Sequence, residues 1–320
     1  CDAPPGMSTA WHNGLRYLCS LLTSSGPRQR KNPPMISEAD VAAYNRDGFI
    51  VVPNVLDATE LKTIRGVVAD IVAQASEVSA NNEVYDLEPT HTKAMPRVRR
   101  IKAPHKVNAI FDDLIRGQKL LDIMAPILGP NMRLYGSKLN IKAARYGSPV
   151  EWHQDWAFYP HTNQDVLAVG VMLDDTDVSN GAMMVTPGSH MGPVWNHHGE
   201  DGRFCGLIDP EDIKEEIAAA VPCVGPAGSI SIHHVRALHG SALNTSNRPR
   251  NLLLYEVTAS DAWPLLGVKD FDDFNAKLLS GPANVVPRME DVPVRMPLPP
   301  ASRQGSIYEN QLGSNKSYFA

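Results

Sequence analysis

From residue 130 onward, turn-forming residues cut the chain into short apolar runs, and this pattern limits the fold more than any other. Arg133–Ala143, Val166–Leu173, Met183–Thr186, Ser229–His233 and Leu252–Val257 each read as strands. Between them stand Ser179-Asn180-Gly181, Pro187-Gly188, Pro226-Ala227-Gly228 and Asn244–Pro249, which favour turn conformations. Many short strands with regular punctuation predict a sandwich or barrel. The first part of the chain reads differently. Ser37 with acid behind it caps a helix that Gly48 ends, and Phe49–Val52 reads as a strand. Asp57 caps a longer helix with Leu61, Ile64, Val68, Ile71 and Val72 on one face. Residues 78–95 are polar and read as a surface loop. Leu114–Leu128 reads as a third helix closed by Gly129-Pro130. Helices first and strands afterwards predict an α+β fold.

The chain of 320 residues, 43% of them apolar, can build one large core. Residues 35–320 are expected to form one domain, with a Pro-rich C-terminal wrap from about residue 280. Residues 1–34 lack periodicity and read as a disordered extension; a mitochondrial transit segment is the alternative, with organised sequence starting after Met35. Four cysteines without a CxxC spacing argue against a disulfide framework or zinc knuckle and fit a reducing, cytoplasmic compartment. A net charge of −5 argues against a nucleic-acid partner, and no apolar run is long enough to span a bilayer.

Within this frame His153 and Asp155 stand two residues apart in a strand-like stretch, so an imidazole and a carboxylate share one face. That donor set suits a divalent iron. Taken alone, the pair is equally a polar strand end. His239 is the best third ligand. Treating the segment as a hairpin whose loop is centred between Asn244 and Thr245 makes Arg250 the cross-strand partner of His239. A guanidinium fork beside a metal with open positions suits a dicarboxylic keto acid, with Ser241 adding a hydroxyl donor.

These residues resemble the phytanoyl-CoA dioxygenase (PhyH) family of Fe(II)/2-oxoglutarate oxygenases. The matching pieces are His153-Gln154-Asp155, His239-Gly240-Ser241 and Arg250, with Gly129-Pro130-Asn131, Phe158-Tyr159-Pro160, Asn180-Gly181 and Pro187–His190 in the same order. They cover roughly Ile36 to Val257. The resemblance implies a double-stranded β-helix, or jelly roll, with flanking N-terminal helices. It implies that His153, Asp155 and His239 hold Fe(II), that 2-oxoglutarate and O2 take the open positions, and that Arg250 and Ser241 bind the far carboxylate. Arg100 lies where some relatives place a second cation. Succinate and CO2 leave as a C–H bond of a small-molecule substrate is hydroxylated. The intact Asp155 argues against halogenation; desaturation, cyclisation and epimerisation stay open. So do the prime substrate, acyl-CoA binding and oligomeric state.

Other residues carry two readings. Trp152, Trp156, Phe158 and Tyr159 are either core or an apolar pocket wall. Lys138, Asn140 and Lys142 alternate on one strand, and that polar face could enter the cavity. Arg97, Arg99, Arg100 and Lys102 read mostly as a solvated face. His198-Gly199-Glu200 is read as loop, and His190 as turn packing. His233 and His234 face opposite ways, and one of them could line the cavity. Two further functions compete with the oxygenase. One is a cupin-like metal enzyme without 2-oxoglutarate, and the other is a non-catalytic binding protein on the same barrel.

Overall fold

The computed structural model describes residues 36–145, 147–303, 305–312 and 314–319; the extension expected over 1–34 lies outside them. Helix α1, Glu38–Asp47, starts where the Ser37 hydroxyl accepts from Asp40 N and the Asp40 carboxylate accepts from Ser37 N at 2.7 Å. It ends at Gly48, whose φ of 79° is left-handed; a Cβ there would also sit 2.5 Å from the His190 ring. Strand β1, Phe49–Val52, follows, then α2, Ala58–Gln74, which buries Leu61, Ile64, Val68 and Ile71.

The stretch 78–95 is not simply a surface loop. It contains β2, Tyr85–Leu87, paired with β3, Val98–Lys102. Tyr85 donates its hydroxyl hydrogen to Ile71 O at 2.8 Å, and buried Asp86 pairs with Lys102 at 3.1 Å. A three-residue strand flanked by polar residues gives too little alternation to detect. The basic cluster is likewise not a solvated face: Arg99 and Arg100 are buried on β3.

Helix α3, Pro104–Val107, precedes α4, Ala109–Arg116, and α5, Gln118–Leu128. The single helix expected over Leu114–Leu128 is therefore two, broken at Gly117, which is extended with ψ of 140°. The break lets Phe111 and Ile115 of one helix and Leu120, Ile123 and Met124 of the next all enter one core.

The remaining strands are β4 (Met132–Lys142), β5 (Val150–His153), β6 (Val166–Met172), β7 (Met183–Val185), β8 (Val221–Cys223), β9 (Ile230–His234), β10 (His239–Ser241), β11 (Arg250–Ala259) and β12 (Leu278–Ser280). Short helices α6 (Lys214–Ala218), α7 (Phe271–Ala276) and α8 (Ile307–Gln311) complete the order. Two antiparallel sheets result. The larger runs β1-β9-β6-β11-β4-β3-β2 with β12 beside β4; the smaller runs β5-β10-β7-β8. This is the jelly roll of an α+β protein.

Strand alternation divides the core. Leu253, Tyr255 and Val257 of β11 point outward and pack with Val169, Ile232 and the α2, α4 and α5 side chains. Leu252 and Leu254 point inward, against Met183 and Val185 of the small sheet. The site opens at one end of this inner layer.

Residues 281–303 run without helix or strand along the barrel. Pro293 O accepts from Trp156 Nε1 at 2.9 Å, and Arg288 N and Glu290 N donate to Asp261 O and Thr162 O. No helix of the described residues is long and apolar enough to cross a membrane.

Candidate active site

His153 ends β5, and Asp155 opens a one-turn 3-10 helix, Asp155–Ala157. Strand alternation therefore does not align the pair; the turn does, leaving Asp155 Oδ1 3.7 Å from His153 Nε2. His239 opens β10, in register with His153 on one side and Val185 on the other. One donor atom from each of His153, Asp155 and His239 lies within 4.8 Å of the others, and all three side chains are buried.

The donor set fits a metal. His153 Nδ1 donates to Glu151 O at 2.8 Å, and His239 Nδ1 donates to Ala237 O at 3.0 Å, in the tautomer that leaves each Nε2 lone pair free for a cation. Burial, with the neighbouring His239, holds His153 well below its ordinary pKa; burial lowers His239 to about 4. Both rings are neutral at pH 7, as metal ligands must be. Burial alone would raise the Asp155 pKa, but Lys138 and the nearby histidines keep it well below the usual carboxylate range.

Gln154, between two of these residues, is fully buried. Its amide donates to Arg236 O and Pro193 O and accepts from Trp195 N, while its backbone N–H donates to His197 Nε2. It fastens the His153–Asp155 corner to two loops.

The hairpin expected between His239 and Arg250 does not form. After β10 the chain crosses from the small sheet to the large one, where Arg250 pairs with Lys142 of β4. Arg250 nevertheless reaches the same cavity, because the two sheets face each other there. Its guanidinium is fully buried, Nη2 donates to Gly181 O, and Nε has no partner. No carboxylate pairs with it among the described residues. Burial lowers its pKa to about 10, which still leaves it charged at pH 7.

The cavity at the triad measures about 40 Å3. Ser241, Arg100, Lys138, Asn140 and His233 line it with the triad and Arg250, and Met183, Leu252 and Leu254 supply its apolar wall. Arg100 donates from Nε to Asn140 Oδ1 at 3.0 Å and lies 5.0 Å over the Tyr308 ring. Lys138 Nζ is 2.9 Å from Glu256 Oε1 and 3.8 Å from Asp155 Oδ1. Burial lowers the Lys138 pKa, but these two carboxylates more than offset that, so it stays charged. A wider pocket of about 240 Å3 adjoins, sharing Arg100, Lys138, Asp155 and Ile307, with Phe158 and Tyr159 in its wall.

Two expected wall residues lie elsewhere. Trp152 points away from His153, as strand neighbours must, and stacks on Phe319. Trp156 fills a separate cluster with Tyr159, Val166 and Val235. Lys142 is capped by the carbonyls of Ser241 and Ala242 and does not line the cavity. His190 packs on α1, its Nε2 3.2 Å from Asn45 O, and His198 Nε2 meets Leu298 O at 3.1 Å. Sequence reasoning missed Gln154 and Glu256. Glu256 could have been found, since it follows Arg250, Leu252 and Leu254 on the inward face of one strand.

The chain resembles known proteins along most of its length. The model of the phytanoyl-CoA dioxygenase (PhyH) family matches residues 44–252. A protein of Stutzerimonas stutzeri, named "probable alpha-ketoglutarate-dependent hypophosphite dioxygenase", is 38% identical over 279 residues, 86% of this chain and 97% of its own. The L-proline trans-4-hydroxylase of Streptomyces griseoviridis is 27% identical over 69% of this chain and 87% of its own. In fold, the crystal structure of EctD from S. alaskensis with bound Fe aligns with a TM-score of 0.62 at 23% identity, covering 84% of this chain and 92% of that one.

Fold, triad and relatives together define an Fe(II)- and 2-oxoglutarate-dependent dioxygenase that acts on a small molecule. The chain belongs to the phytanoyl-CoA dioxygenase family.

Proposed function

We propose that this dioxygenase oxidises a small phosphorus oxyanion bearing a P–H bond, with hypophosphite as the simplest candidate. The observation that carries this reading is the cavity. Beside the candidate metal-binding residues it offers cationic or N–H groups: Arg100 and Arg250, which suit 2-oxoglutarate, and Lys138 and His233, which remain for the prime substrate. A small anion meets those groups better than a ring or an acyl chain does. The 38%-identical relative named for hypophosphite supports the same substrate, whereas the hydroxylase named for proline is only 27% identical.

In this reading His153, Asp155 and His239 would hold Fe(II), which supplies O2 activation when bound. Arg250, buried with no carboxylate partner among the described residues, receives the far carboxylate of 2-oxoglutarate through its planar fork, and Ser241 adds a hydroxyl donor. Arg100, fixed by Asn140, contributes a second positive charge. Leu252, Leu254 and Met183 keep water from the reacting centre. The atoms balance simply. One oxygen of O2 converts P–H to P–OH, the other ends in succinate, and CO2 leaves.

The buried free thiols of Cys205 and Cys223 fit a reducing, cytoplasmic setting. Residues 36–319 fit a single catalytic domain, with 281–303 as its outer wrap.

The test is succinate release under O2 with hypophosphite, L-proline or ectoine as the added substrate. Release stimulated by hypophosphite well above the other two is expected. Release stimulated only by proline or ectoine contradicts the reading.

A further inference from the structure

The histidines around the site follow one local rule. His153, His161, His197 and His239 each donate Nδ1 to the carbonyl two residues before them, at 2.7–3.0 Å. His233 breaks the rule. Its side chain is 1% exposed, and neither ring nitrogen has a hydrogen-bond partner, which is true of no other described histidine. Burying an imidazole with both nitrogens unpaired is unfavourable unless something else satisfies them.

The surroundings suggest what does. β9 holds His233 between Phe49 of β1 and Ala168 of β6, so its backbone is fixed on both sides. Its side chain enters the inner layer and lines the cavity. The ring centroid lies 4.5 Å from that of His239. Nε2 is 3.5 Å from Asp155 Oδ2, close enough to favour the carboxylate but too long for a well-formed hydrogen bond. The imidazole therefore borders the triad on the side shared by Asp155 and His239. Lys138 approaches Asp155 from its other oxygen, Oδ1, at 3.8 Å.

We propose that His233 is a substrate-binding residue: it donates a hydrogen bond from its ring to an oxygen of the anionic prime substrate, and with Lys138 it selects an oxyanion over a neutral molecule of equal size. This rests on the dioxygenase site being where the prime substrate binds. It assigns His233 no part in holding iron or 2-oxoglutarate. A phenyl ring at 233 would fill the same space and make the position apolar, so the choice of imidazole is a choice of ligand chemistry.

His233→Phe and His233→Gln separate this role from the alternatives. Three quantities are measured on the full chain: Fe(II) affinity, the visible absorption of the anaerobic Fe(II)–2-oxoglutarate complex, and the Kd of hypophosphite for that complex by calorimetry. His233→Phe is expected to keep the first two and to weaken hypophosphite at least tenfold. His233→Gln, which retains an N–H donor, should recover part of that loss. Two results overturn the assignment: unchanged hypophosphite affinity in His233→Phe, or loss of Fe(II) in that variant, which would make His233 a metal ligand or a support for one. If the parent protein itself ignores hypophosphite, the substrate reading fails separately. The same variants are then compared on whichever of L-proline and ectoine stimulates succinate release, and unchanged affinity there sinks the His233 assignment. A parent protein that binds none of the three overturns both.

Discussion

His153 and His239 are register partners on neighbouring antiparallel strands, with their ring centroids 4.1 Å apart. Sheet pairing thus brings together two candidate iron ligands 86 positions apart in the chain (239 − 153). The metal should in return hold the sheet. At a free Fe(II) concentration a hundredfold above its Kd, binding adds about 2.7 kcal/mol to folding stability. Anaerobic Fe(II) or Mn(II) should therefore raise the unfolding midpoint. His239→Ala should remove that rise, which urea titration with and without metal will read.

Arg250 has no carboxylate partner among the described residues, and the proposed function gives it the far carboxylate of 2-oxoglutarate. Removing one side of a buried, hydrogen-bonded charge pair costs about 2–5 kcal/mol. Arg250→Ala should raise the KM for 2-oxoglutarate by a factor of about thirty or more. Arg250→Lys should recover only part, because an ammonium cannot form the planar fork. Steady-state succinate assays check both.

Acid should destabilise the fold even with metal bound. Burial lowers the pKa of His161 and His197 to about 4, and neither is a ligand of the triad. An unfolded histidine titrates near 6.5, so between about pH 4 and 6.5 the unfolded chain binds more protons. Stability then rises with pH across that window and is lost as pH falls through it. Each residue should contribute roughly 2 kcal/mol less at pH 5 than at pH 7. Urea unfolding at the two pH values measures this, and His161→Gln should shallow the dependence.

Ile123 is fully buried where α5 meets the large sheet. Ile123→Ala should cost about 2–5 kcal/mol of stability through the cavity it leaves. It should leave the anaerobic Fe(II)–2-oxoglutarate absorption unchanged, since the helices pack on the outer face of the sheet. Chemical denaturation and absorption spectroscopy check the two halves.

The sequence made the long elements and the chemistry legible, for physical reasons. Asp57 and the Leu61–Ile71 face announce α2, and the apolar runs at β4, β6, β9 and β11 announce the large sheet. His153, Asp155 and His239 stand out in the sequence because few residue types bind iron and their order is distinctive, and the fold brings their donor atoms together. What stayed hidden depends on pairing. β2 is too short to show alternation, and Gly117 reads as a tolerated glycine until two helix faces must meet one core. Arg250 was joined to the site by an assumed hairpin, whereas its strand belongs to the other sheet and reaches the cavity from the opposite wall. Trp152 lies beside a ligand in sequence and behind it in space, because strand neighbours face opposite ways.

The most direct test of the account is the coupling of two products. Hypophosphite, 2-oxoglutarate, Fe(II) and O2 are incubated with the protein, phosphite is followed by phosphorus NMR, and succinate is quantified in the same sample. The account predicts phosphite and succinate in a ratio of about one to one, both lost in Asp155→Ala. Succinate formed at the same rate with and without hypophosphite, and no phosphite, would contradict it.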